Sequence, residues 1–230
     1  MHRVFILSPA NTGGERAALL YHQRARFALA RQLQRGETVP LGEVFSFLSG
    51  LYFRGKFTYS VFFGRPPKKV HPAYVITSNS GLLPATQPVS LQDLRAFSEV
   101  PIEPDELRYR GPLLKSAKDL AARAGSECQF VLLGSIGTKK YAVLLLEHLA
   151  ERLFFPSAFI GRGDMSRGGL LLRSVAESQE LEYVPVIGSV RHGKRPGKLP
   201  PRSWGYKITE GTTASPKAKS QQAVAISDTT

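Results

Sequence analysis

The sequence predicts an α/β fold: a three-layer, Rossmann-like arrangement with a mostly parallel sheet, helices on both faces and a disordered basic C-terminal tail. Three observations predict it. Residues 130–133 (FVLL) form an apolar run without alternation, the pattern of a strand covered on both faces. From there the chain passes through a Gly/Ser/Thr/Lys loop at 134–140 into helical spacing from Tyr141, with Val143, Leu144, Leu145 and Leu149 apolar. Strand, tight polar loop and helix make half of a βαβ unit, which requires parallel neighbours. The same punctuation recurs at other strand ends: SPANTGG, TSNSGLL and IGRGDMSRGG accompany GSIGTKK.

The elements follow in order. Residues 3–8 (RVFILS) are branched and aromatic and end at Pro9, which cannot continue a ladder. Asn11 or Thr12 can cap a helix over residues 15–34, with Ala18, Leu19, Leu29, Ala30 and Leu33 apolar and Arg16, Arg24, Arg31 and Arg35 opposite. Those arginines are most simply a solvated face. Residues 40–64 hold eight aromatics and predict two short helices, 41–48 and 51–63, split near Ser49-Gly50. Most of these rings fit a core; Tyr52, Arg54, Lys56 and Tyr59 are the members expected to face water, where aromatics and cations stack on bases.

A proline-rich basic linker (65–72) precedes a second strand at 73–77, which ends in a loop with Pro84 and Pro88 behind it. Ser90 and Asp93 have capping-box spacing and open a short helix over 89–100. Residues 101–112 read as a polar connection and 113–124 as an amphipathic helix. Residues 153–160 give a strand interrupted by Pro156, with Asp164 as N-cap of a helix continuing over 170–176. The last strand lies in 181–190, with Pro185 placing it at a sheet edge. This gives one domain over 1–190 and a basic, disordered tail over 191–230.

Composition narrows the function classes. A lone Cys128 excludes an internal disulfide and a cysteine-rich metal site, and the five histidines show no paired metal spacing. No 18-residue apolar run exists, and VFILSPA is too short for a signal-peptide core, so a cytoplasmic protein without a membrane partner is expected. The net charge of +13 favours polyanions, although eight Lys/Arg against Glu210 and Asp228 place about +6 of it after residue 190.

In a parallel sheet the small-residue loops lie on one edge, where ligands collect at the topological switch point. Ser8, Asn11, Thr12, Gly13, Ser78, Ser80, Gly81, Ser135, Thr138, Lys139, Arg162, Ser166 and Arg167 supply hydroxyls, close backbone approach and charge there. Tyr52, Arg54, Lys56, Lys68 and Lys69 are the expected nucleic-acid contacts. Asp164 and Glu15 are the carboxylates near that edge for acid/base work, Asp164 serving equally as a helix cap. No cofactor is implied: GSIGTKK lacks Walker spacing and SPANTGG is not the dinucleotide fingerprint.

The runs SGLYFRGKFTYSVFF, AYVITSNSGLLPATQPVS and FVLLGSIGTKKYAVLLL resemble a group of uncharacterised bacterial and phage Rossmann-like α/β domains. That group is similar to the uracil-DNA-glycosylase-like domain of archaeal tRNA-deazaguanine-modifying enzymes, and more distantly to the peroxide-stress family with a basic DNA-binding cleft. The resemblance implies a shared pocket lined by Ser8, Tyr52, Ser80, Gly81 and Tyr141. This chain departs from it at Pro9-Ala10 and Asn79-Ser80, where the group carries Cys or Lys and Lys-Tyr. The expected function is binding of nucleic acid or a nucleotide, linked to nucleic-acid modification or repair. Two alternatives stand beside it: a glycosidase- or transferase-type enzyme on a small phosphorylated or nucleoside ligand, and a protein-interaction module using the aromatic segment 45–63.

Overall fold

The central strand β1 (His2–Leu7) explains the layering, because Val4 to Leu7 have no solvent exposure on either side. It pairs in parallel with β3 (Ala73–Ile76) and with β6 (Cys128–Leu133), and β6 pairs in parallel with β7 (Leu153–Pro156). Short antiparallel strands β4 (Leu82–Pro84) and β8 (Tyr183–Pro185) close the two edges, giving the order β4-β3-β1-β6-β7-β8. This computed structural model describes residues 1–190 together with 193, 194, 196, 197 and 199. A separate ribbon pairs β2 (Val39–Pro40) with β5 (Pro88–Val89).

Strand periodicity divides the core in two. Phe5, Leu7, Val75, Val131 and Leu133 face a layer containing α1 (Glu15–Tyr21), α2 (Ala28–Gln34), α3 (Leu41–Ser49), α4 (Leu51–Phe63), α5 (Leu91–Ser98) and α8 (Asp164–Ala176). Val4, Ile6, Tyr74, Ile76, Phe130 and Leu132 face α6 (Leu107–Ala124) and α7 (Ala142–Leu149). The expected three-layer α/β architecture is therefore present. No helix among the described residues is long and apolar enough to cross a membrane.

Several expected elements differ. The single helix over 15–34 is two, because residues 22–26 (HQRAR) contain one small apolar residue and cannot bury a turn. Gln34 Nε2 donates to the Leu20 and His22 carbonyls (3.2 and 3.0 Å), satisfying the end of α1, and Phe27 stacks on Phe47. Helix α6 begins six residues before the expected start and carries Pro112 inside it, since Tyr109 is fully buried and its hydroxyl donates to the Lys140 carbonyl (2.7 Å). That burial outweighs the missing proline N–H. The split at Gly50 falls where expected, with φ +62°. Residues 82–84 are a strand rather than loop, and Asp164 to Gly169 belong to α8.

The compact unit runs from Met1 to Leu199, nine residues beyond the expected boundary. Gly193 and Lys194 lie against Ile160 and Gly161, which fixes that extension. Four Lys/Arg and two carboxylates follow Leu199, so the compact unit holds +11 of the net charge. Of the disordered tail expected over 191–230, residues 193, 194, 196, 197 and 199 are described and fall in the compact unit, and the others lie outside the described residues.

Candidate functional site at the sheet switch point

After β1 the chain turns to the α1–α4 face, and after β6 it turns to α7 on the other face. The two strands are neighbours, so their loops part around a crevice, the position where open α/β sheets hold ligands. Ser8 N donates to the Leu133 carbonyl (3.2 Å), tying the two strand ends together.

A cavity of about 420 Å³ is lined by Pro9, Ala10, Asn11, Thr12 and Gly13 from the first loop and by Lys140 and Tyr141 from the second. Phe97, Ser98, Val100, Pro101 and Ile102 complete its wall. A second cavity of about 260 Å³ is lined by residues 134–138, by Phe155, Phe159, Ile160, Gly161 and Gly193, and by Arg167. Arg162, Gly163, Met165 and Ser166 line a third, of about 330 Å³, with Pro196, Gly197 and Leu199. Asn11, Thr12, Gly13, Ser135, Thr138, Arg162, Ser166 and Arg167 thus come together on one edge as cavity walls.

Ser8, almost fully buried, lines none of these cavities although a pocket contact was expected; it sits beside Pro9 of the first wall and packs against Gly134 of the second, with Lys56, 1 % exposed, against it. Lys56 Nζ donates to the Ser8 carbonyl (2.6 Å) and lies 2.9 Å from Ser8 Oγ. The rings of Tyr52 and Phe53 cover it at 4.4 and 4.7 Å to their centroids. Burial lowers the Lys56 pKa to about 7; the Asp164 carboxylate opposes this and the Arg167 guanidinium adds to it. The Tyr52 hydroxyl is buried with no partner in hydrogen-bond geometry. Burial pushes its pKa up to about 12, with the nearby Arg167 opposing. Tyr141 is likewise raised to about 12 by burial, then by the Asp164 and Glu103 charges.

Two glycines bring these groups together. Gly55 of α4 and Gly168 of α8 face each other so closely that a Cβ on Gly168 would stand 2.8 Å from the Leu51 oxygen and the Tyr52 Cα. The close crossing carries Arg167 and Asp164 to Tyr52 and Lys56. Gly134 is equally constrained: a Cβ there would stand 2.9 Å from Ser8 Cβ.

Comparison with protein-family models, with curated proteins and with solved structures finds no match. The chemistry of the crevice is defined by its own residues.

Several expected contacts fall elsewhere. Tyr52, Lys56 and Tyr59 do not face water, because α4 is apolar around most of its circumference and is packed on both sides; Arg54 alone of the four is exposed. No apolar docking patch forms at Tyr52; the exposed large apolar side chains of this helix are Val61 and Phe62. Lys68 and Lys69 are exposed but precede β3, at the opposite edge of the sheet from the crevice. Ser78 is buried and donates to the Phe97 carbonyl (2.5 Å), a support behind the first cavity. Ser80 and Gly81 form the tight turn into β4, with Gly81 against Pro112 and Ser116 of α6, and line none of these cavities. Lys139 is exposed on the loop, beside rather than within the wall, where Lys140 pairs with Glu103 (2.6 Å).

Neither expected acid/base carboxylate is buried. Glu15 is exposed in the first turn of α1 and lines none of these cavities. Asp164 has a 69 % exposed side chain 3.6 Å from Arg167 Nη1. It is the first residue of α8, whose N-cap is Gly163 without a side-chain bond, so it does not cap the helix as expected. Lys56 is the residue whose burial against Ser8 sequence reasoning missed. The signal was available: a lysine beside a glycine, within a helix with aromatics on every side, is carried into the core.

Proposed function

We propose that the protein binds a phosphorylated nucleoside unit, free or within a nucleic-acid strand, in the crevice between the loops after β1 and β6. The observation that carries this reading is the cavity of about 420 Å³ shared by those two loops, of the size small-molecule sites have. Its wall offers what such a ligand needs. Tyr141 and Phe97 give flat apolar surface, Asn11 and Thr12 give polar groups, and Lys140, paired with Glu103, stands in the wall. The exposed Lys139 and the +11 carried by Met1–Leu199 supply longer-range attraction for a polyanion.

Titration calorimetry with a panel of nucleoside monophosphates, and retention of short single-stranded DNA and RNA at low and moderate salt, tests the reading. Thr12→Val and Tyr141→Ala should weaken mononucleotide binding at least tenfold, while Lys139→Ala should weaken oligonucleotide retention and its salt dependence. The reading fails when no mononucleotide binds and retention is indifferent to all three substitutions.

A further inference from the structure

Lys56 and Ser8 share more than a structural peg requires. Holding the loop after β1 needs only the bond from Nζ to the Ser8 carbonyl, and an uncharged donor would make it. The same nitrogen also lies 2.9 Å from Ser8 Oγ, within the range in which a nucleophile and its base meet. A neutral amine has two N–H groups and one lone pair. Here Lys56 Nζ donates to both the Ser8 carbonyl and Ser8 Oγ beneath the Tyr52 and Phe53 rings; once the amine is uncharged, the same short contact lets its lone pair take the Ser8 hydroxyl proton. The site is one where a charge is poorly solvated, which favours the uncharged form.

The surroundings fit an activated hydroxyl. Ser8 stands at the end of the central strand with Pro9 and Ala10 in the wall of the first cavity and Gly134 in the wall of the second. The position a Cβ would take on Gly134 is only 3.3 Å from Ser8 Oγ, so the glycine leaves the hydroxyl uncovered by a side chain on that side. The base is dry, and the nucleophile is 6 % exposed, next in sequence to the wall of one ligand-sized space and packed against a glycine in the wall of another. Arg167, lining the second space, adds a fixed positive charge.

We propose that Ser8 and Lys56 form a serine–lysine dyad that transfers the acyl group of a carboxylic ester or activated amide to water. In the first step Ser8 Oγ attacks the carbonyl carbon, the Oγ–C bond forms, and the hydroxyl proton passes to Lys56 Nζ. The tetrahedral centre then collapses, the bond to the leaving oxygen or nitrogen breaks, and Lys56 returns its proton to that atom. Water attacks the acyl-serine with Lys56 again accepting a proton, the Oγ–acyl bond breaks, Ser8 regains its proton and the free acid departs. Burial acts first on the charge state of Lys56, with Asp164 and Arg167 of α8 acting in opposite senses, and the Tyr52 and Phe53 rings and Ser8 are the groups that face it. With its pKa near 7, much of the lysine is a free base at neutral pH. The proposal is independent of the nucleotide reading, since it concerns Ser8 and Lys56 and not the first cavity's occupant.

An alkyl fluorophosphonate tests it on the full chain: attack by Ser8 Oγ forms an Oγ–P bond, expels fluoride and leaves the proton on Lys56. Intact mass and peptide mapping should find one adduct, on Ser8, forming at a rate that rises with pH through an inflection near 7. Ser8→Ala should abolish the adduct. Lys56→Met should slow it at least a hundredfold and remove the inflection, with circular dichroism reporting the fold. Should Lys56→Met not fold, the wild-type pH profile and Ser8→Ala decide the matter. No adduct on wild-type Ser8, or an adduct whose rate lacks that inflection, overturns the dyad.

Discussion

Gly55 and Gly168 meet backbone to backbone: a Cβ on Gly55 would stand 2.7 Å from the Gly168 oxygen and 3.0 Å from its Cα. Neither contact can be relieved by a side-chain rotation. Gly168→Ala must therefore separate α4 from α8, and overpacking of this kind costs about 1–3 kcal/mol. The urea midpoint should fall accordingly. Because Arg167 and Asp164 reach Lys56 across this crossing, the substitution should also shift any pH dependence that Lys56 confers. A midpoint within error of wild type would mean that the helices have room to spare.

Lys56 makes stability depend on pH in a defined direction. Its folded pKa of about 7 lies below the ordinary value of 10.5, so between those values the unfolded chain binds more protons than the folded one. Stability then rises with pH across that window and is lost as pH falls from 10.5 towards 7, levelling below it. Lys56→Met removes the titrating group. The difference in unfolding free energy, wild type minus variant, should increase from pH 7 to pH 10, a trend that denaturant titrations at matched ionic strength would read. A flat difference would place Lys56 in contact with water.

Ser90→Ala tests the helix that walls the first cavity. Ser90 Oγ accepts from Asp93 N, and the Asp93 carboxylate accepts from Ser90 N (2.8 Å), the reciprocal pair of a capping box. Loss of the cap should cost about 1 kcal/mol by thermal or urea unfolding. Phe97 of the same helix lines the first cavity, and Ser78 donates to its carbonyl. Ligand affinity there should fall along with stability.

The boundary of the compact unit can be tested by truncation. A chain ending at Leu199 should keep the full-length midpoint, whereas one ending at Val190 should lose stability, because it uncovers Ile160 and Gly161. Equal midpoints for the two truncations would restore the shorter domain expected from composition.

Local physics made much of this legible in advance. Runs such as RVFIL and FVLL have no alternative to a doubly covered strand, Gly50 can adopt the positive φ that splits α3 from α4, and the Ser90/Asp93 spacing defines a cap. The convergence of small-residue loops on one sheet edge follows from parallel pairing, and three of the four loops supply cavity walls. The fourth, at Gly81, does not. It turns straight into an antiparallel strand, a pairing fixed by β3 and not by its own residues. Which face of α4 meets which neighbour was decided only in three dimensions. The same chemistry that makes a lysine among aromatics look like a nucleic-acid contact makes it, once α8 packs against Gly55, a buried amine against Ser8. Periodicity is a property of a segment and can be read from it. Burial of a charge depends on what covers the segment, and that is settled only when distant parts of the chain meet.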